Sequence, residues 1–468
     1  MYGLTVERIT ELVQGKLRCG QGCVEPVGAA IDTRVLKPGE LFFALKGEKT
    51  DGHCFLEQAR ENGAAGAVVS FIPEGFREEG FPLIQVSDVQ KALWQTAAAM
   101  RRLFAGPVVA ITGSTGKTTT KDMLWSILQE RGPVLRSSGN YNNELGLPLT
   151  LLAVKQEHHA VVLEMGMRGL GEIDFLARLS EPSHGIITCI GHTHQELLGS
   201  QEGIAQAKAE LISHIPASGG LALNMDDRKH LKQWLSNIRC RVTWVGLDRT
   251  ADLRAVDIKQ IAGPRGEPGM SFIIKTRDGE ECAVNLPVPG RHNVVNALLA
   301  AAAARQLDCA WEQVAGGLGK VRLTAMRLEL KEVPEGGVLL INDAYNANPD
   351  SMQAALEVLH SMTKGRRAIA VLGNMYELGG FAEEGHRLVG KKAQEVKVAY
   401  LITVGEMARL IAEGALEAGL APDQIRSCQD NQEALFYLKK LLKPGDVVLI
   451  KGSRGVRMEE IAAGILSV

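Results

Sequence analysis

The residues best suited to chemistry lie in ITGSTGKTTTK, Ile111–Lys121. An apolar run feeds a glycine-rich turn, and the turn opens a helix-like stretch. Backbone N–H groups at such a start point into the turn, and the helix dipole adds positive potential. The segment therefore predicts a phosphate cradle made by Gly113, Ser114, Thr115, Gly116, Lys117, Thr118 and Thr119. Lys117 would reach the β- and γ-phosphates of a nucleotide, and the Thr118 hydroxyl would hold Mg²⁺. The long pattern GxxxxGK[ST] needs a glycine where Ile111 stands, and only the shorter GxxGKT, Gly113–Thr118, is intact. A ligand-free Gly/Thr turn is the alternative, but a lysine followed by three threonines at a helix start speaks against it. A phosphate loop alone fits a kinase, a motor ATPase, a GTPase or a ligase.

Glu164 closes the apolar run AVVLEMG, and His194 follows the apolar run HGIITCIG. Both are expected at the carboxyl edge of a parallel sheet beside the loop. There a carboxylate and an imidazole can complete a Mg²⁺ shell. Mg²⁺ prefers oxygen, so a surface or capping role is the alternative for His194. Lys208, in GIAQAKAEL, reads by periodicity alone as a solvated helix face. Asn293 and Asn296 lie one turn apart in GRHNVVNALLA; Asn293 reads as an N-cap, or both amides read an adenine edge. In INDAYNANPDSM, Asp343 ends a strand ahead of a polar loop and a helix capped around Pro349, a place where ligands bind in open α/β sheets.

These groups need elements to position them. The 468 residues suggest two to four domains, and 45% hydrophobic residues supply their cores. A formal net charge of -2 weighs against a polyanion partner, so no nucleic acid is expected. The N-terminus has no signal-length apolar core and no run reaches about eighteen apolar residues, so a cytoplasmic protein without membrane insertion is expected. The eight cysteines are scattered, as befits thiols in a reducing compartment. Residues 1–105 read as a small α/β unit with apolar runs ELFFALKG and GAAGAVVS and helix-like KALWQTAAAMRRLF, ended by Gly106-Pro107. Residues 106–320 alternate strands and helices: PVVAIT, an amphipathic KTTTKDMLWSILQE with Met123, Leu124, Ile127 and Leu128 on one face, then buried strands. An antiparallel insert turns at Asp278-Gly279, and HNVVNALLAAAAARQL closes the region. Residues 321–468 carry strands GVLLINDAY, RRAIAVLGN, AYLITVG and DVVLIKGS between helical patterns. The fold class is thus α/β with three domains: a small N-terminal unit, a central P-loop ATPase-like parallel sheet and a C-terminal Rossmann-like unit.

Taken in order, GSTGKTTT, GNYNNELGLP (139–148), Glu164, His194 with Lys208 fourteen residues later, and GRHNVVNA resemble the Mur ligase family, which builds the peptide stem of bacterial peptidoglycan. The resemblance covers nearly the whole chain, and the short phosphate loop is that family's own variant. Within it, IDTRVLKPGELFFALKGEKTDGHCF (31–55), NDAYNANPDSM, and VLGNMYELG with His386 and VLIKGSRG are similar to the branch that adds D-alanyl-D-alanine. No Asp-Asn-Pro-Arg, the signature of the branch adding meso-diaminopimelate, occurs. Two positions depart: Asn374 stands where aspartate is usual, and LTAMRLEL keeps Arg327 without the glycine before it.

The resemblance implies an ATP-dependent amide ligase joining D-alanyl-D-alanine to UDP-N-acetylmuramoyl-tripeptide through an acyl phosphate. Lys117, Glu164, His194, Lys208 and Arg327 would be its catalytic set. Thr118 and Glu164 would hold one Mg²⁺ and His194 a second, with Lys208 carbamylated by CO₂ into a further ligand. Asn293 and Asn296 would contact adenine, Asp343 would help place the nucleotide, and Arg327 would reach the phosphates on domain closure. The UDP group would meet Asp32, Thr33, Arg34, Lys46, Gly47, Asp51, Gly52 and His53, which otherwise read as turn residues. Asn140, Asn142 and Asn143 would hold the sugar-peptide, and Asn346, Asn348 and Ser351 the dipeptide. Nothing in the apolar patterns requires more than a monomer. Another amide ligase on the same core, such as folylpolyglutamate synthase, and a nucleotide-dependent switch protein are the rival readings.

Overall fold

The computed structural model describes residues 1–467 apart from 78–79, 194, 263–267, 334–335 and 364. Three sheets form in chain order. The first contains β1 (Lys16–Leu17), β2 (Gly28–Ala30), β3 (Glu40–Phe43), β4 (Gly66–Val69) and β5 (Leu83–Gln85) in the order β1-β5-β4-β3-β2. All neighbours are parallel except β1 on β5. Helix Val89–Leu103 follows, its start capped by Asp88 accepting from the Lys91 N–H. The helix buries Val89, Ala92, Leu93, Thr96, Ala97 and Met100, an i, i+3, i+4 stripe.

That stripe does not stop at the first unit. One continuous apolar core runs from Met1, Phe43, Leu93 and Met100 into Leu147, Leu151, Met165 and Leu176 of the second unit. Polar contacts fasten the same seam. Trp94 Nε1 donates to the Glu144 carbonyl at 2.7 Å, and Arg101 donates to the carbonyls of Ser180 and Glu181 at 2.7 and 2.8 Å. The break at Gly106-Pro107 separates two sheets but not two cores.

The central sheet contains β6 (Val108–Thr112), β7 (Val134–Arg136), β8 (Ala160–Glu164), β9 (His184–Ile187), β10 (Gly220–Asn224), β11 (Arg241–Gly246), β12 (Leu253–Ala262), β13 (Pro268–Thr276) and β14 (Glu281–Leu286). Their order is β14-β13-β12-β11-β10-β9-β6-β8-β7. The expected antiparallel insert is an extension of this sheet: β12 joins β11 in parallel at Val245–Leu253, and β13 and β14 continue antiparallel. The hairpin at Asp278-Gly279 forms, with Gly279 at φ 95°.

The phosphate helix, Lys117–Leu128, differs from expectation. It is buried all round, from Thr118 to Leu124 and again from Ser126 to Leu128. It sits between the sheet and helices Arg291–Gln306 and Trp311–Gly319. This explains two small-residue features. Ala297 and Ala300–Ala304 of Arg291–Gln306, the helix between the phosphate helix and the neighbouring strands, are all buried. A Cβ on Gly317 would stand 2.4 Å from the Ile127 Cα, so only glycine admits the close approach.

The third sheet contains β15 (Glu329–Glu332), β16 (Leu339–Asn342), β17 (Ala368–Gly373), β18 (Tyr400–Val404), β19 (Ile425–Cys428) and β20 (Val447–Lys451), ordered β15-β16-β20-β17-β18-β19. Only β15 is antiparallel. Its two faces carry separate cores, one centred on Leu356, Leu372 and Leu449, the other on Ile369, Ile450 and Ile461. No described helix is long and apolar enough to cross a membrane.

Candidate active site

Strand β6 lies between β8 and β9, with Ile111 opposite Glu164 and Thr112 opposite Ile187. Ile111 is therefore a fully buried strand residue, and the turn begins only at Gly113, which accounts for the short loop. Gly113 has φ 147° and Gly116 φ 80°. A Cβ at Gly113 would lie 1.9 Å from Thr188 Oγ1, and one at Gly116 2.5 Å from Asn296 Oδ1. The loop is thus clamped from behind, and its free face is left to a ligand. Lys117 Nζ arches back to the Gly113 carbonyl at 2.6 Å, and the Gly191 N–H donates to Ser114 Oγ at 2.8 Å.

Glu164 is 3% exposed and collects three donors: Thr118 Oγ1 at 2.8 Å, Asn142 Nδ2 at 3.0 Å and Lys121 Nζ at 3.4 Å. Burial works to raise its pKa. The charges of Lys121, Arg327 and Lys117, with the Thr118 hydrogen bond, outweigh it and hold the carboxyl below the usual range. A hydroxyl and an ionised carboxylate side by side are the hard oxygen donors Mg²⁺ takes from protein when phosphates supply the rest. Lys208 is 1% exposed. Burial, then the nearby Lys117 charge, pushes its pKa well below that of an ordinary lysine. His194 lies outside the described residues; Thr193 before it lines the cavity.

A cavity of about 1120 Å³ opens over this floor and takes walls from all three units. Gln90 and Trp94 come from the first, Asn140 and Asn143 from the second, and Tyr345 and Arg454 from the third. Asn142, Asn346 and Asn348 also line it. Arg327 lies with its guanidinium 4.3 Å from the Tyr345 ring centroid, and its buried Nε has no hydrogen-bond partner among the described residues. Arg327 also lines the cavity, where a guanidinium fits an anionic guest. The residue before it, Met326, has φ 60°, the conformation a glycine would adopt there without strain.

Other expected site residues have structural duties. Asn142 donates to Glu164, so it serves the carboxylate directly. Asn143 Oδ1 accepts from the Gly146 N–H at 2.9 Å and starts helix Gly146–Leu152. Asn348 and Ser351 exchange hydrogen bonds at 2.8 and 3.1 Å as the cap of helix Pro349–Thr363, and Ser351 does not line the cavity. Asn293 is not an N-cap: Gly290 holds that position. Asn293 Nδ2 donates to the Pro289 carbonyl and its Oδ1 accepts from Asn296, so the pair braces Gly116 from within the protein. Asp343 Oδ2 meets Lys451 Nζ at 2.5 Å, and its Oδ1 accepts from the Leu328 N–H at 3.0 Å.

The first-unit group clusters away from this cavity. Arg34 folds onto Asp32, Thr33 donates to Gln58, and the Lys46–Asp51 bridge closes the Gly47 turn ahead of Gly52. His53 accepts the Ser70 N–H at Nε2, so its proton sits on Nδ1 and is donated to Asp51 at 2.6 Å. Sequence reasoning missed Lys121, Asp122, Tyr345 and Lys451. Their signal was a charged pair inside a threonine-rich helix start, and a tyrosine and a lysine at two neighbouring strand ends.

Comparison with known proteins gives a consistent set. Residues 27–101 match the description Mur ligase family, catalytic domain; 111–304 match Mur ligase middle domain; and 326–454 match Mur ligase, glutamate ligase domain. UDP-N-acetylmuramoyl-tripeptide--D-alanyl-D-alanine ligase of Bacillus subtilis (strain 168) is 39% identical over 468 residues, covering 100% of this chain and 99% of that protein. The crystal structure of MurF from Acinetobacter baumannii aligns with a TM-score of 0.84 at 30% identity over 99% of both chains. That of MurF ligase from Thermotoga maritima in complex with ADP aligns at 0.77 and 25% identity, over 94% of this chain and 97% of that one.

Proposed function

The chain belongs to the Mur ligase family, and we propose that it joins D-alanyl-D-alanine to UDP-N-acetylmuramoyl-tripeptide at the expense of ATP. The observation that carries this reading is one cavity that meets the phosphate loop and the ionised Glu164 at its floor and takes walls from three units.

A carboxylate does not acylate an amine in neutral water because oxide is a poor leaving group. Phosphorylation solves this. The bond between the γ-phosphorus and its bridging oxygen breaks, ADP leaves, and a tripeptide carboxylate oxygen takes the phosphoryl group. The amine of D-alanyl-D-alanine then attacks the acyl carbon, phosphate departs from the tetrahedral intermediate, and the nitrogen loses its proton. Positioning and charge neutralisation supply most of the rate. Lys117 swings from the Gly113 carbonyl to the β/γ oxygens, and the Arg327 guanidinium, on a residue that lines the cavity, meets the same charge. Thr118 and Glu164 would hold one Mg²⁺; His194 and Lys208 would hold a second. The metal, when bound, neutralises phosphate charge.

The Lys208 proposal rests on its surroundings. No carboxylate among the described residues appears among the charges that act on it, and burial favours the neutral amine, the form that adds CO₂ to give a carbamate and a proton. The assignment of UDP to residues 1–105, ATP to 106–320 and the incoming amine to 321–468 belongs to the same proposal, with Asn346 and Asn348 facing the dipeptide. A cytoplasmic monomer agrees with it.

The test is phosphate release from ATP with UDP-N-acetylmuramoyl-tripeptide, with and without D-alanyl-D-alanine, and a mass spectrum for the pentapeptide. Release that needs both substrates and yields pentapeptide is expected. Release with a single amino acid instead would keep the family and move the branch. No turnover with any acceptor would favour a nucleotide switch.

A further inference from the structure

The segment between helix Trp311–Gly319 and β15 carries Arg327 and changes allegiance partway along. Thr324 belongs to the second unit: its N–H and its Oγ1 each donate to Asp122 Oδ2 at 2.8 Å. Two residues later the chain belongs to the third unit. The Met326 carbonyl accepts from the Tyr345 N–H at 3.2 Å, and the Leu328 N–H donates to Asp343. Ala325 is left between, and Met326 and Leu328 both have positive φ, at 60° and 46°. The pivot between the units thus sits within three residues, and Arg327 rides on the far side of it.

Asp122 is built as a fixed post. It is 0% exposed on the phosphate helix, one turn beyond Thr118. Its Oδ1 accepts from Arg136 at 2.7 Å, and Lys121, which reaches Glu164, lies 4.0 Å away. Arg136 is held in turn, its guanidinium 3.8 Å from the Trp125 ring centroid. Arg136 on β7 and Lys121 on the phosphate helix hold this buried carboxylate from regular elements, so the acceptor that Thr324 meets keeps its place.

We propose that Asp122 is a positioning residue for the ligation step: by anchoring Thr324 it sets where the linker pivots, and so where Arg327 meets the phosphates. The proposal rests on the ligase reading above. A group acting through Arg327 leaves ATP affinity alone and vanishes from kcat once Arg327 is gone; a merely structural group lowers both irrespective of Arg327.

The experiment measures pentapeptide formation by Thr324→Val, Thr324→Ser, Asp122→Asn and Arg327→Ala, with pairs of these, alongside hydrogen exchange of the linker amides. Thr324→Val should lower kcat about ten-fold, the worth of a hydrogen bond to a charged acceptor, with KM for ATP within about two-fold. Thr324→Ser should restore kcat, and Thr324→Val should cost less than about two-fold in the Arg327→Ala background. The Thr324 amide should exchange faster in Asp122→Asn. Wild-type kcat in Thr324→Val, or an equal loss with and without Arg327, overturns the proposal. Where Asp122→Asn does not fold, the Thr324 pair decides. If the wild-type protein makes no pentapeptide the ligase reading falls instead, and exchange at Thr324 alone then tests the anchor: an unchanged rate in Asp122→Asn overturns it, a faster one supports it.

Discussion

The Glu164–Lys121 pair separates what the site does for folding from what it does for chemistry. Both side chains are essentially dry, and Nζ stands 3.4 Å from Oε2. At an effective dielectric of about 20 that separation corresponds to roughly 5 kcal/mol of attraction. Asp122, 4.0 Å from the same ammonium, compensates part of any loss. Glu164→Gln strands the Lys121 cation and should cost about 3 kcal/mol; Lys121→Met strands the carboxylate, which keeps Thr118 and Asn142, and should cost slightly less. The double variant removes both charges and should cost little more than either single one, a coupling of about 3 kcal/mol in a urea-unfolding cycle. Turnover should divide differently. Glu164→Gln and the double variant should lose about 10³-fold or more in kcat, because a neutral amide is a poor Mg²⁺ donor, whereas Lys121→Met should stay within about ten-fold. Additive unfolding energies would refute the ion-pair argument. Glu164→Gln turning over within about ten-fold of wild type would refute the assignment of this carboxylate to the metal.

Asp227, buried and accepting the Ile190 N–H, has its pKa raised from 3.8 to about 7, first by desolvation. The folded state therefore holds an extra proton between those values, and stability falls as pH rises through that window; Asp227→Asn should raise the melting temperature at pH 8 but not at pH 4, and an equal gain at both would contradict this. Removing CO₂ from the buffer should slow turnover and bicarbonate should restore it, with Lys208→Arg inactive under both; indifference to bicarbonate would leave Lys208 an unmodified lysine. Met326→Gly should leave kcat near wild type, because glycine accepts φ 60° freely, whereas Met326→Val should lose about 2 kcal/mol and lower kcat by displacing Arg327. Wild-type stability and kcat in the valine variant would remove the strain argument.

The strands, the phosphate loop and the hairpin at Asp278-Gly279 were legible because each is a local signal, an apolar period or a turn residue. The all-round burial of the phosphate helix was not, because Thr118–Asp122 are polar and their partners lie far along the chain, at Glu164 and Thr324. Lys121 and Asp122 look like a solvated pair until tertiary structure closes over them. The Asn348-x-x-Ser351 spacing fits a helix cap as well as a ligand contact, and the structure uses it as the cap. The loss of a glycine before Arg327 is explained only by the backbone, where Met326 adopts the glycine-like angle. Asn293 and Asn296 have the spacing of a base reader, yet only packing reveals that Asn296 lies against Gly116 with Asn293 holding its amide.

The apolar seam that joins the first two sheets makes the molecule three sheets but two bodies. Leu93 and Met100 share one buried cluster with Leu147 and Leu151, whereas contacts between the third unit and the second include polar and aromatic ones such as His192 with Asp350 and Phe381. On the proposed placement of the UDP group, its anchor and the phosphate loop then lie on two units that share one apolar core. A nucleotide-sugar held at one end can bring only a peptide of the right reach to the other. The length of the acceptor stem would be gauged before the third unit arrives, by the span between those two points.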